Sequence, residues 1–247
     1  VITGYHSITL AAHDPAAAAE AYAGFLGRDV DALANLRLAF RAAPPEGPEG
    51  VARVTFAVAD LAEARRMLER RGAATHLEDD TAVIDAGASH GVELAVTQAD
   101  EGADTAVSAA SADAIVGLDH LVVRTADADR AIALYGARLG LDFRLDRSNP
   151  AWGSRLLFFR CGDAVLEISV ETTAAAAPAG PDRLSGLAWR ARDPAAVHAR
   201  LTGAAAAGQG LDVSDLRTGR KPGTHVFTLR AGLVAAPALV IGSEPPA

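Results

Sequence analysis

Gly117-Leu118-Asp119-His120-Leu121-Val122-Val123-Arg124-Thr125-Ala126-Asp127, followed by Ala128 to Leu139 and closed by Gly140, decides the reading of this chain. An apolar, strand-like run comes first. Asp127 then accepts from the free amides of a first helical turn and suits the positive end of the helix dipole. Ile132, Leu134, Tyr135 and Leu139 recur at helical spacing, so the predicted helix buries one face. Gly140 relieves the left-handed backbone after the last turn. Three predicted strands follow: Leu141 to Leu145, Ser154 to Arg160 and Val165 to Val170, with Gly162-Asp163 as the last turn.

The same plan occurs three more times, and internal repeats of this length govern a fold. Tyr5 to Leu10 leads to Asp14-Pro15, a helix over Ala16 to Leu26, and Gly27. Val30 to Ala34 and Leu36 to Phe40 are its predicted strands. Val51 to Val58 leads to Asp60, a helix over Leu61 to Arg71, and Gly72, with strands at Ala82 to Asp85 and Val92 to Val96. Leu187 to Ala191 leads to Asp193-Pro194, a helix over Ala195 to Leu201 closed by Gly203, and strands at Val213 to Arg217, His225 to Arg230 and Ala238 to Ile241. Proline at a first helical position loses no needed donor. The fold class expected is α+β: four strand–helix–three-strand repeats forming two paired-repeat domains with curved mixed sheets. Residues 1–98 form the first domain, 99–116 a small, polar linker, and 117–243 the second.

Composition bounds the function. The 247 residues are 50% hydrophobic and 22% charged, enough for a packed core. A net charge of −8 argues against nucleic-acid binding. No apolar run approaches the roughly 20 residues of a membrane span. The start of the chain lacks signal-peptide features, and the single cysteine, Cys161, excludes an internal disulfide and a Cys-based zinc site. A reducing cytoplasm is the expected compartment. Cys161 has no sequence neighbour that marks it as a nucleophile. Heavy alanine use and a lone lysine, Lys221, fit the coding bias of a GC-rich genome. The phosphate-loop, His-Glu-x-x-His and Gly-x-Ser-x-Gly motifs are absent, so no nucleotide cofactor is expected.

Gly117 to Val123 with Asp127, Leu134-Tyr135 and Leu139-Gly140-Leu141, together with Cys161-Gly162-Asp163-Ala164-Val165-Leu166-Glu167-Ile168, resembles the vicinal oxygen chelate superfamily. That superfamily holds glyoxalase I, bleomycin-resistance proteins and extradiol dioxygenases. Ile2 to Leu10, with Tyr22 and Leu26-Gly27, resembles it too. The resemblance implies a divalent metal, Fe, Mn, Zn or Ni, in a cup-shaped sheet. A His or Gln of an opening strand and a Glu of a closing strand hold it, and open positions take two adjacent substrate oxygens.

The resemblance places the metal ligands of the third repeat at His120 and Glu167, with Glu167 also serving as a catalytic proton carrier. A hydrogen-bonded strand histidine is the structural alternative for His120. The first repeat has Ser7 at the ligand position, with His6 one residue earlier and so on the other face. The second has Arg53 or Val54 there, although Glu93 matches the closing-strand Glu. The fourth has neither ligand, and His225 is the best candidate for a third donor, with an exposed strand histidine as the alternative. Substrate-binding candidates are Asn149, Trp152 and Arg155 on one connection, which could stack on and pair with an anionic or aromatic ligand. Arg220 and Lys221 on a Gly/Pro-shaped turn could hold an anion, or form a solvated hairpin tip. Trp189 would line the cup or pack in the core.

The function implied is a cytoplasmic small-molecule enzyme of this superfamily, a lyase, isomerase or dioxygenase type, with an incomplete metal site. The alternatives are a metal-free binding protein of the same fold and a degenerate structural subunit. Expected partners are a small-molecule ligand, with neither nucleic acid nor membrane. The sequence leaves open whether a homodimer completes the cup.

Overall fold

A computed structural model describes residues 2–31, 33–99, 111–149, 153–171, 180–235 and 237–243. Strands and helices follow the repeat plan in order: β1 (Ile2–Ala12), α1 (Pro15–Leu26) and β2 (Arg37–Ala42), then β3 (Gly50–Val58), α2 (Leu61–Arg70), β4 (Thr75–Glu78), β5 (Thr81–Ile84) and β6 (Glu93–Gln98). The third repeat is β7 (Ile115–Thr125), α3 (Ala128–Ala131) running on as a π-helix over Ile132–Arg138, β8 (Asp142–Asn149), β9 (Ser154–Cys161) and β10 (Ala164–Glu171). The fourth is β11 (Arg183–Ala191), α4 (Pro194–Ala206), β12 (Asp212–Val213), β13 (Arg217–Thr218), β14 (Thr224–Ala231) and β15 (Ala238–Ser243). No helix among the described residues is long and apolar enough to cross a membrane.

All four aspartate caps form. Asp14 accepts from Ala17 N at 3.0 Å, Asp60 from Glu63 N at 2.8 Å, Asp127 from Arg130 N at 3.0 Å, and Asp193 from Ala195 N and Ala196 N at 3.0 Å. Several details differ from the sequence reading, among them the strand expected over Val213 to Arg217, which is split into β12 and β13, and β4, which was not expected. Val30 to Ala34 makes no strand among its described residues, because Asp29, Asp31 and Asn35 favour turns. The last helix runs through Gly203 to Ala206, since an alanine run carries it over the glycine. The helix of the third repeat widens so that Leu139 N reaches Leu134 O, five residues back.

The strands form two mixed sheets. One is six-stranded, in the order β2-β1-β3-β6-β5-β4. The other is nine-stranded, in the order β12-β14-β15-β11-β7-β10-β9-β8, with β13 paired to β14. Parallel pairs, β3 with β6, β7 with β10 and β11 with β15, bring each opening strand against the closing strand of its repeat.

Packing divides the chain into two compact units that cut across the sheets. Unit 1 holds Val1–Ile8, Ala52–Glu101 and His120–Ser185, and unit 2 holds Thr9–Val51, Gly102–Asp119 and Gly186–Ala247. In unit 1, Tyr5 stacks on Phe56 with ring centroids 5.5 Å apart and donates to Val165 O. The start of β1 lies so close to the β9–β10 turn that a Cβ on Gly162 (φ +63°) would stand 2.8 Å from Thr3 O, so only glycine fits there. In unit 2, Tyr22 and Phe25 of α1 pack edge-on against Trp189.

One device recurs in both units. In unit 2, Arg200 of α4 donates to Gly24 O at 2.6 Å and Phe25 O at 2.8 Å, at the end of α1. In unit 1, Arg71, just past α2, donates to Arg138 O at 3.3 Å, at the end of the π-helix. A cation at the negative end of a helix satisfies carbonyls that lack helical partners.

Candidate functional site

Strand alternation gives the sheet two unlike faces around His120. On one side of β7, β9 and β10, Leu121, Val123, Leu157, Phe159, Leu166 and Ile168 are fully buried. Phe159 meets Tyr135 of the π-helix with centroids 6.2 Å apart, so this is the helix side. His120, Val122 and Arg124 point to the other, open side, as do Val165, Glu167 and Ser169 opposite them in the parallel register.

The antiparallel register carries that open side outward. Phe158 pairs with Glu167 and Leu156 with Ser169. Leu145 pairs with Phe158 and Arg147 with Leu156. Two rows therefore cross the sheet: Leu145, Phe158, Glu167 and Val122, then Arg147, Leu156, Ser169 and Arg124. Leu145 is 49% exposed, and Phe143, on the other face of the same strand, is 41% exposed. Arg160, one row the other way, turns its Nε to Gly162 O at 3.1 Å.

His120 Nε2 lies 3.9 Å from Glu167 Oε2, and each side chain is 19% exposed. That is too long for a hydrogen bond. Two metal–ligand bonds of about 2.1 Å meeting at a tetrahedral angle put their donors about 3.4 Å apart, so a small rotamer change brings this pair onto one ion. An imidazole nitrogen and a carboxylate oxygen are donors suited to a divalent transition metal. The pair fits two corners of such a site. Among the described residues no group of three or more His, Cys, Asp or Glu side chains could hold an ion.

The other predicted residues fall elsewhere. His225 belongs to unit 2, on the side of β14 that carries Phe227 and Leu229, and Phe227 meets His198 of α4. Trp189 is fully buried against Tyr22 and Phe25, so of its two expected roles, cup wall or core, it takes the core one and is not exposed to a ligand. Arg155 is also corrected. It shares the helix side of β9 with Leu157 and Phe159, and its Nε and Nη2 hold Asp146 at 2.9 and 2.6 Å. That guanidinium keeps the Asp146 carboxyl below its ordinary range. It also borders a cleft of about 450 Å³ beside Asp127, Asp129 and Arg130. Arg220 and Lys221 are exposed in the turn before β14, where Thr224 Oγ1 donates to Lys221 O at 2.6 Å. Both belong to unit 2. Trp152 and the side chain of Asn149 lie outside the described residues. Burial pushes the Cys161 thiol up, which keeps it protonated and unreactive.

The second repeat shows what the sequence did not reveal. Arg53 lies directly opposite Glu93 in the parallel register of β3 and β6. Its Nε is paired with Glu93 and its Nη2 with Glu78 at 2.8 Å. The signal available was the pair of matching positions, one cationic and one acidic. Arg124, Arg147, Leu156, Phe158 and Ser169 were missed on the open face, although counting by twos from His120 and Glu167 finds Arg124 and Ser169.

Residues 117–238 match the family model of the Glyoxalase/Bleomycin resistance protein/Dioxygenase superfamily. No curated protein matches the chain. Solved structures that resemble it include a halotolerant catechol dioxygenase, at TM-score 0.69 and 10% identity, covering 99% of this chain and 87% of that one. A catechol 2,3-dioxygenase reaches TM-score 0.69 at 17% identity, covering 100% and 90%. A mutant of 4-hydroxymandelate synthase from Streptomyces coelicolor reaches 0.67 at 12% identity, covering 100% and 94%. At such identities the likeness concerns the fold alone.

Proposed function

We propose, for a chain whose second half, residues 117–238, belongs to the Glyoxalase/Bleomycin resistance protein/Dioxygenase superfamily, that it is an enzyme acting on a small molecule with adjacent oxygens, assisted by a divalent metal. The observation that carries this reading is the His120–Glu167 pair, 3.9 Å apart on an open sheet face. His120 would hold the ion through its imidazole nitrogen and Glu167 through a carboxylate oxygen. Such an ion, when bound, polarises a substrate oxygen as a Lewis acid. Glu167 does the proton work: its carboxylate accepts a proton from the substrate and returns it. Val122 on β7 and Phe158 on β9 flank Glu167 on either side in its row and give that carboxylate apolar neighbours. Residues 1–98 and 117–243 are read as two glyoxalase-like domains, the first mainly structural because Arg53 already neutralises Glu93.

A second reading has its own support. With only two donors together among the described residues, a metal-free protein that binds its small molecule on the same face is the alternative. Metal content of protein purified without chelator decides between them. The enzyme reading expects stoichiometric metal in the wild type and none in His120→Ala or Glu167→Ala. A wild type that carries none and takes up none on soaking leaves the binding protein. Metal retained in both variants would overturn the ligand assignment.

A further inference from the structure

We infer that unit 1 has a binding site for one internal water molecule, formed by Arg130 Nε, the Tyr135 hydroxyl and Asp182 Oδ2. Tyr135 packs on Phe159, so the site lies on the helix side of the sheet and does not rest on the reading of the His120–Glu167 face. Each of the three atoms is buried, and none has a hydrogen-bond partner in the protein. The whole side chain of Asp182 is shut off from solvent. Buried polar atoms are almost always paired, either with protein or with ordered water.

Local structure brings the three together. Arg155 and Asp146 show what a complete fork looks like: Nε and Nη2 each take one carboxylate oxygen, at 2.9 and 2.6 Å. Arg130 and Asp182 make only half of one. Arg130 Nη2 donates to Asp182 Oδ1 at 2.5 Å and is shared with Gly180 O at 3.2 Å and Thr125 Oγ1 at 3.4 Å. The Nε–H of that guanidinium and the second oxygen of that carboxylate are left over on either side of this bond. Tyr135 comes five residues after Arg130, and the helix passes from α to π between them. The wider turn brings such residues closer in direction than the about 140° of an α-helix. Burial pushes the Tyr135 hydroxyl pKa up, and the Asp182 carboxylate, close enough to act on it, pushes it further. Arg130 also lines the cleft of about 450 Å³, so the site lies beside solvent although its three polar atoms do not touch it.

The donor set selects the ligand. Nε–H can only donate, and an ionised carboxylate can only accept. A cation has no lone pair for Nε–H, and a halide has no proton for Oδ2. A direct Tyr135–Asp182 bond would leave Nε–H unpaired. Water meets all three needs, accepting from Nε–H and the tyrosine hydroxyl and donating to Oδ2, the three bonds usual for a buried water. Asp182 N donates to His90 O at 2.9 Å, so this water joins the π-helix to the segment entering β11 and, through it, to the β5–β6 loop.

A crystal structure of the unmodified chain, with and without a bromide soak, tests the inference. One density peak should lie within hydrogen-bond reach of all three atoms and give no anomalous signal in bromide. Tyr135→Phe removes only the hydroxyl, so its melting temperature should fall by about 2–4 °C, the worth of one satisfied hydrogen bond in a chain of this size. Losing an unpaired hydroxyl would leave the melting temperature unchanged or raise it, and either result would overturn the inference. A bromide signal at the site, no peak there, or Tyr135 bonded directly to Asp182 would overturn it too.

Discussion

Repeats two and three solve one problem in opposite ways. In each, a closing-strand glutamate points to the open side of its sheet, next to a basic side chain of the opening strand. In repeat two Glu93 faces Arg53 directly, and Glu78 grips the same guanidinium. In repeat three Glu167 lies diagonal to His120, at 3.9 Å. Arginine is always charged and fixes its carboxylates in place. Histidine can give up its proton and present a lone pair. The first arrangement is closed and contributes to structure. The second is a donor pair that can take a metal ion. The two differ in residue type and in register: Arg53 stands opposite Glu93, the position that Val122 takes opposite Glu167, whereas His120 lies two residues earlier on its strand.

The largest expected effect breaks the open side. Metal affinity should fall by at least about 100-fold in His120→Ala or Glu167→Ala, since each removes half of a two-donor set. Thermal stability should hardly move, because both side chains are partly exposed. Equilibrium dialysis against the metal and a melting curve on the same samples check both halves. Next comes the closed side. Arg53→Met strands two carboxylates beside each other and should lower the denaturation midpoint modestly, as expected of a partly exposed ion-pair cluster, with metal content unchanged. A variant as stable as the wild type would mean that the pair is ornamental and that the contrast between repeats is not one of structure against function.

Much of this contrast was legible in the sequence, and the rest has specific physical reasons. Asp14, Asp60, Asp127 and Asp193 announced four helices, because capping is local chemistry. His120 and Glu167 lay on strands whose patterns place them on one face. The side that Arg155 takes was not legible, because Leu156-Leu157-Phe158-Phe159 is apolar throughout, and such a run does not say which parity faces the helices. Trp189 was ambiguous for the same reason, between Leu187 and Ala191. His225 was readable: Phe227 and Leu229 go to the core, so the residue two before them shares their side. The Arg53–Glu78 contact was hidden, because β4 had not been recognised as a strand. Its four residues are mostly polar or exposed.

A smaller effect asks how far residue type decides the contrast, since Arg53 and His120 differ by two residues in register against the closing glutamate. His120→Arg puts a guanidinium beside Glu167 and should abolish metal uptake while adding at most about 0.2–1 kcal/mol, the range of a partly exposed ion pair. The reverse exchange, Arg53→His, leaves an imidazole among Glu78 and Glu93 and should create metal uptake where there was none. Isothermal titration with a divalent metal reads both. Failure of Arg53→His to bind would show that the neighbouring carboxylates, and not the residue at this one position, keep repeat two closed.

The smallest effect asks how far the closed arrangement extends. His76 Nδ1 lies 3.1 Å from Asp85 Oδ1, and its Nε2 lies 3.5 Å from Glu78 Oε1. The hydrogen bond to Asp85 is the main cause that raises its pKa above the ordinary 6.5, with Glu78 adding to it. Because the folded-state value is the higher one, the stabilisation is complete below the unfolded pKa and is lost as pH rises through the folded one. The imidazole is exposed, so the change should show in its NMR titration and scarcely in a melting curve. Asp85→Asn should lower the His76 pKa more than Glu78→Gln does. Arg53→Met should raise it, since Glu78 would then serve His76 alone and a nearby positive charge would be gone. A His76 titration indifferent to Arg53 would confine the closed arrangement to Arg53, Glu78 and Glu93. A shift would make it one continuous row of alternating charge from Asp85 to Glu93, held together by Arg53.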